Sequence, residues 1–117
     1  MNIYFIILAA GKSKRFNSNL PKQFNFYKGK RMFEHSIDKA IESKLFKKII
    51  LVVNKSHRKH IKKLSIKNLI IINGGKERND SSQLALKYLK KFKPSKVFIH
   101  DAARPNFSIK LLKKLSL

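Results

Sequence analysis

Ile3-Tyr4-Phe5-Ile6-Ile7-Leu8 runs straight into Ala9-Ala10-Gly11, and the reading of this opening stretch decides the fold. A strand with one face in water alternates apolar and polar residues. A continuous apolar, β-branched run is instead a strand covered on both faces, as in a parallel sheet. Three further runs share this character: Ile49 to Val53, Leu69 to Ile72 and Val97 to Ile99. Helical patterns lie between them. Phe33, Ile37, Ala40, Ile41 and Leu45 repeat at helical spacing, as do Leu84, Ala85, Tyr88, Leu89 and Phe92. Lys55 to Leu64 predicts a shorter, very basic helix anchored by Ile61 and Leu64. Pro94 closes the helix before the fourth strand, and Ser108 is an N-cap for a last helix carrying Ile109, Leu112 and Leu115. Strands alternating with helices predict an α/β fold: a Rossmann-like, doubly wound, mostly parallel sheet with helices on both faces. The chain stops near a helix end without a stop signal, and a four-strand parallel sheet leaves apolar edges uncovered. The expectation is therefore a truncated domain, with residues 1–117 the first part of a longer one.

Composition narrows the class. The 117 residues suit one domain. Lys and Arg number 28 against 6 Asp and Glu, a net charge of +22, so the partner is expected to be an anion. The absence of Cys excludes a disulfide framework and thiolate metal sites. A hydrophobic content of 43% is too high for a disordered polycation. Ile3 to Ala10 is too short to span a bilayer and has no basic leader before it. A cytoplasmic globular protein with no membrane partner is expected.

In an open α/β sheet, ligands bind beyond the carboxyl ends of the strands. Three unusual segments fall there. After the first strand comes Ala9-Ala10-Gly11-Lys12-Ser13-Lys14-Arg15, continuing to Pro21-Lys22-Gln23. After the third comes Asn73-Gly74-Gly75-Lys76-Glu77-Arg78-Asn79-Asp80-Ser81, and after the fourth His100-Asp101-Ala102-Ala103-Arg104-Pro105. In the first loop the near-absence of side chains at Ala9, Ala10 and Gly11 lets backbone N–H groups approach a phosphate or base edge. Lys12, Lys14, Arg15 and Lys22 surround them with positive charge. A P-loop is rejected because its earlier glycine would fall at Ile6. The dinucleotide pattern is rejected because Ser13 and Phe16 stand where it needs glycines.

In the second loop, paired glycines suit backbone reading of a ligand edge. Asp80 or Ser81 either caps the following helix or serves a ligand, and Arg78 either reaches a phosphate or pairs with Glu77. In the third, Asp101 ends a buried strand. It either holds a hard cation such as Mg²⁺ against nucleotide phosphates or pairs with Arg104. His57 and His60 lie one helical turn apart without a third ligand and read as a basic face. There is no Gly-x-Ser-x-Gly elbow of a serine hydrolase.

Taken together, Leu8-Ala9-Ala10-Gly11 with Arg15, Pro21-Lys22-Gln23, Gly74-Gly75-x-x-Arg78-x-Asp80-Ser81 and His100-Asp101-Ala102-Ala103-Arg104-Pro105 resemble the 2-C-methyl-D-erythritol 4-phosphate cytidylyltransferase family. The match in order and spacing covers nearly the whole chain, and Phe33-Glu34-His35-Ser36 fits as well. The resemblance implies transfer of CMP from CTP to a sugar-alcohol phosphate in non-mevalonate isoprenoid biosynthesis. It implies that Arg15 and Lys22 are catalytic and that Asp101 holds Mg²⁺. It also implies that Ala9, Ala10, Gly11, Lys12, Ser13, Gly75, Lys76, Arg78, Ser81 and Ala102 bind the nucleotide. It implies a homodimer for the full-length form and no specific nucleic-acid partner. Ser13 departs from the family's usual Gly, and Lys76 and Ser82 from its usual Asp and Val. The family domain is about twice this length. Two alternatives stand: a ribitol-5-phosphate-type cytidylyltransferase, which tends to carry Gly at the place of Ala10 and Val at that of Ala103, and a non-enzymatic basic RNA-binding module.

Overall fold

The computed structural model describes residues 2–11, 21–61, 66–104 and 107–116. The four apolar runs form one parallel sheet. They are β1 (Ile3–Ala9), β4 (Lys48–Val53), β5 (Leu69–Asn73) and β6 (Lys96–Asp101), in the spatial order β5-β4-β1-β6. The numbers β2 (Phe26–Tyr27) and β3 (Lys30–Arg31) belong to a small antiparallel hairpin outside the sheet. The helices are α1 (Met32–Ser43), α2 (Arg78–Leu89) and α3 (Ile109–Leu115). In register, Phe5 lies between Ile49 and Phe98, and Leu8 between Val52 and Asp101.

Period-2 geometry divides the runs between two cores. Phe5, Ile7 and Ala9, with Ile49, Leu51 and Val53, face α1 and α3, meeting Phe33, Ile37, Ala40 and Leu112. Tyr4, Ile6 and Leu8, with Ile50 and Val52, face α2, meeting Ala85 and Leu89. Burying each such large side chain contributes about 1.5–3 kcal/mol, so the central pair β1 and β4 anchors the molecule.

Three expectations need correction, and one element is new. Only β1 is buried throughout, with β4 buried from Ile49 to Val53; β5 and β6 are edge strands, and Ile99 of β6 is 42% exposed. Strands of the same apolar character thus differ in burial because position in the sheet decides it. The segment from Lys55 is a 3-10 helix, Lys55–His60, capped by the Asn54 side chain accepting from Ser56 N–H. It packs inward through Ile61, while Leu64 lies outside the described residues. Crowded positive charge and little apolar surface give this segment small reason to extend into an α-helix. The hairpin is an unanticipated element. Its two-residue turn, Lys28-Gly29, has positive φ at both positions, the geometry that matches the twist of paired strands. Finally, α2 is capped by Glu77, so neither Asp80 nor Ser81 is the cap. Glu77 accepts from Asp80 N–H and Asp80 accepts from Glu77 N–H, a reciprocal capping box built with carboxylates at both ends. The expected Ser108 cap of α3 is present, its Oγ accepting from Leu111 N–H.

Candidate functional site

β1, β5 and β6 run parallel, so their carboxyl ends deliver the three loops to one rim. There the structure opens a cleft of about 360 Å³. Leu8, Ala10 and Gly11 line it from the first loop, Gly75, Lys76, Glu77, Arg78 and Ser81 from the second, and Asp101 from the third. The N-terminus of α2 lies in the same wall, adding its positive dipole end. Two cations, a helix start and a carboxylate at the end of a strand make a cleft suited to a phosphate-bearing ligand, with room for a cation at the carboxylate.

The glycines bring the loops together. A Cβ on Gly74 would lie 2.6 Å from Ala10 Cβ and 2.7 Å from Ser81 Oγ. On Gly75 it would lie 2.4 Å from Asp80 Cβ. The Gly-Gly pair therefore has a steric role, which local sequence does not reveal. Gly74 N–H continues the sheet by donating to Val53 carbonyl at 2.7 Å. Gly75 N–H donates to Ser81 Oγ at 3.1 Å, leaving the Ser81 hydroxyl hydrogen for another acceptor.

The third loop is shaped by its own side chains. Asp101 Oδ1 accepts from Ala103 N–H at 3.1 Å, and Arg104 N–H donates to Asp101 carbonyl. No ion pair joins Asp101 to Arg104, and Arg78 does not pair with Glu77; among the described residues the one salt bridge is Lys30 with Asp38. His100 Nε2–H donates to Arg104 carbonyl at 2.6 Å, and its ring packs edge-on against Phe107. Burial pushes the His100 imidazole below its ordinary value, partly offset by the Arg104 carbonyl and by Asp101, while Lys39 and Arg104 push it further down. Burial also lowers His60, aided by Arg31, Lys59 and His57. Above the ordinary histidine value of about 6.5 both states are neutral and stability is flat. Below it the unfolded chain takes up protons that the folded chain resists, so stability falls as pH drops. Urea midpoints should decline from about pH 7.5 to pH 5.5, and the decline should be shallower in His100→Gln. An unchanged slope in that variant would remove His100 from the explanation.

The sequence-predicted residues sort into four groups. Ala10, Gly11, Gly75, Lys76, Arg78, Ser81 and Asp101 share the cleft. Ala9 and Ala102 are fully buried behind it, and Ala102 N–H is taken by the Leu8 carbonyl, so both act as wall rather than rim. Lys22 is exposed on the 3-10 turn Lys22–Phe24 and does not line the cleft. Lys12, Ser13 and Arg15 lie outside the described residues. Gln23, to which motif and spacing assign no role, is buried and donates to the Ala9 and Gly11 carbonyls of the first loop. Among the described residues no three His, Cys, Asp or Glu gather into a metal cluster, and no helix is long and apolar enough to cross a membrane.

Comparison with known proteins supports the same assignment. The profile of the family described as "IspD: 2-C-methyl-D-erythritol 4-phosphate cytidylyltransferase" matches residues 3–116. The chain is 61% identical over 115 residues to the "Bifunctional enzyme IspD/IspF" of Pelagibacter ubique, covering 98% of this chain and 31% of that protein. It is 39% identical over 102 residues to the 2-C-methyl-D-erythritol 4-phosphate cytidylyltransferase of Thermotoga neapolitana, covering 86% of this chain and 46% of that one. The crystal structure of the Francisella tularensis 2-C-methyl-D-erythritol 4-phosphate cytidylyltransferase superposes with a TM-score of 0.78 at 32% identity, covering 98% of this chain and 50% of that one. The chain thus spans 31% of the length of the Pelagibacter ubique protein and 46% of that of the Thermotoga neapolitana one.

Proposed function

The chain belongs to the 2-C-methyl-D-erythritol 4-phosphate cytidylyltransferase family, and from that premise we propose that it forms the CTP-binding part of a cytoplasmic enzyme of isoprenoid biosynthesis. In the proposed reaction a phosphate oxygen of 2-C-methyl-D-erythritol 4-phosphate bonds to the α-phosphorus of CTP. The bond from that phosphorus to the oxygen bridging to the β-phosphate breaks, and pyrophosphate leaves. Such chemistry needs positioning and charge stabilisation, with no covalent intermediate on the protein.

The single observation that carries this reading is the convergence of three separate loops on one cleft holding Lys76, Arg78 and Asp101. Lys76 and Arg78, with the start of α2, attract the triphosphate. Backbone groups of Ala10, Gly11 and Gly75 and the Ser81 hydroxyl bind nucleotide edges, with Ala9, Lys12, Ser13 and Ala102 in the same loops. Arg15 and Lys22 neutralise charge that builds on the reacting phosphorus. A divalent cation fits Asp101 on chemical grounds. The carboxylate lines the cleft, is held by Ala103 N–H, and enters no ion pair among the described residues. A lone protein carboxylate completed by phosphate oxygens and water is a donor set that Mg²⁺ accepts. When bound, that ion offsets the negative charge of the triphosphate. The full-length enzyme is proposed to be a homodimer.

The experiment is pyrophosphate release from CTP by the full natural chain, run in parallel with 2-C-methyl-D-erythritol 4-phosphate and with ribitol 5-phosphate. Release with the first and little with the second is expected. A folded protein releasing none with either would defeat the proposal, and preference for ribitol 5-phosphate would move it to the alternative family.

A further inference from the structure

We propose that Gln23 is a positioning residue that fixes the turn carrying Lys22 to the loop after β1; this deepens the cytidylyltransferase reading and rests on it. The Gln23 side chain is only 4% exposed. Its Nε2 donates to the Ala9 carbonyl at 2.8 Å and to the Gly11 carbonyl at 2.9 Å. Both hydrogens of one neutral amide are thereby used on carbonyls at the end of β1. An uncharged two-donor group is what this buried place requires. A cation would add a desolvation cost, and an apolar residue would leave both carbonyls without this donor.

The rest of the turn is held as firmly. Pro21 and Phe24 are fully buried. Phe24 packs on Phe33 of α1 with ring centroids 5.3 Å apart, and on His57 and His60 at 5.1 and 5.5 Å. Asn25 Nδ2 donates to the Pro21 carbonyl, and the Arg31 guanidinium donates to the Phe24 carbonyl. From Pro21 to Phe24, Lys22 alone is exposed. Its ammonium is therefore presented from a backbone clamped on both sides, and Gln23 is the member of the clamp that refers that backbone to Ala9 and Gly11. The geometry is preorganised before any ligand arrives, which is the condition under which a charged donor contributes most to a transition state.

The test has one readout that needs no turnover. Phe24 N–H and Asn25 N–H close the 3-10 turn on Pro21 and Lys22 carbonyls. In Gln23→Met these two amides should exchange with deuterium about tenfold faster than in the wild type. In the full chain, pyrophosphate release should show a kcat lower by about tenfold or more, with the KM for CTP moving by less than about threefold. The double variant Gln23→Met with Lys22→Ala should be no slower than Lys22→Ala alone, because Gln23 acts through Lys22. Gln23→Glu is the second variant, in case the methionine form does not fold. Its carboxylate cannot donate, but a buried carboxyl has a raised pKa and regains one donor when protonated. Its activity relative to wild type should rise as pH falls from about 8 to about 6, whereas a merely structural loss would show no such recovery. Unchanged amide exchange, multiplying effects in the double variant, or a flat pH ratio for Gln23→Glu would each overturn the proposal. If the wild type itself releases no pyrophosphate, the functional reading fails, and the exchange comparison still decides whether the clamp exists.

Discussion

Replacing Lys22 by Ala should lower the turnover of CTP by about 10²–10³-fold while leaving CTP binding nearly unchanged. Lys22 does not line the cleft and is exposed on a turn whose neighbours are buried. Its ammonium enters no ion pair among the described residues, so a free positive charge is held ready. On the proposed reading, a group so placed gains little from ground-state phosphates, which Lys76 and Arg78 would meet. It gains more from charge that develops only as the α-phosphorus passes through its crowded intermediate geometry. One preorganised donor of this kind contributes roughly 3–4 kcal/mol in enzymes where it has been removed. Steady-state kinetics of the full chain, with CTP binding measured separately by calorimetry, check the split. Lys22→Arg should recover part of the rate, because charge is kept while the planar fork changes its reach. An equal loss in binding and turnover would place Lys22 in ground-state binding and sink the assignment.

The second large effect is on architecture. Gly74→Ala should cost about 1–3 kcal/mol of stability, the usual range for overpacking, and should weaken CTP binding by about tenfold or more if the loops separate to make room. The new methyl would meet Ala10 Cβ at 2.6 Å, Ser81 Oγ at 2.7 Å and Val52 Cγ1 at 3.2 Å. None of these can swing aside cheaply. Ala10 has no rotamer, Ser81 is buried and already accepts from Gly75 N–H, and Val52 is locked in the central strand β4. Relief must come from moving the first and second loops apart, the displacement that would spoil the cleft. Gly11→Ala is the control for stability, since a Cβ there meets nothing within 4 Å. Urea unfolding of the three proteins reads the difference. Wild-type stability in Gly74→Ala would show that the close approach to Ala10 is not a constraint.

Much of this protein was legible from local pattern. Ile3 to Leu8 could only be a strand covered on both faces, since no alternation offered a wet side, and the helical spacing of Phe33, Ile37 and Ala40 is the face that α1 buries. Loops of small and charged residues after such strands mark the rim. Other features escaped for definable reasons. The edge positions of β5 and β6 depend on strand order, which apolar character does not encode. The capping box at α2 used Glu77 and Asp80, where the commoner form begins with Ser or Thr.

Side-chain period and turn chemistry, acting over a few neighbouring residues, specify the four sheet strands, the α-helices, their alternation in a parallel sheet and the three loops, but not the β2–β3 hairpin or the 3-10 form of Lys55–His60. Only the tertiary structure decided that Gln23 grips the carbonyls of Ala9 and Gly11, that Gly74 leaves room for Ala10, and that Lys22 is the exposed residue of a buried turn. Those contacts join residues from 12 to more than 60 positions apart. They exist because packing two cores against one sheet brings distant backbone within hydrogen-bond and van der Waals range, and no local pattern carries that information.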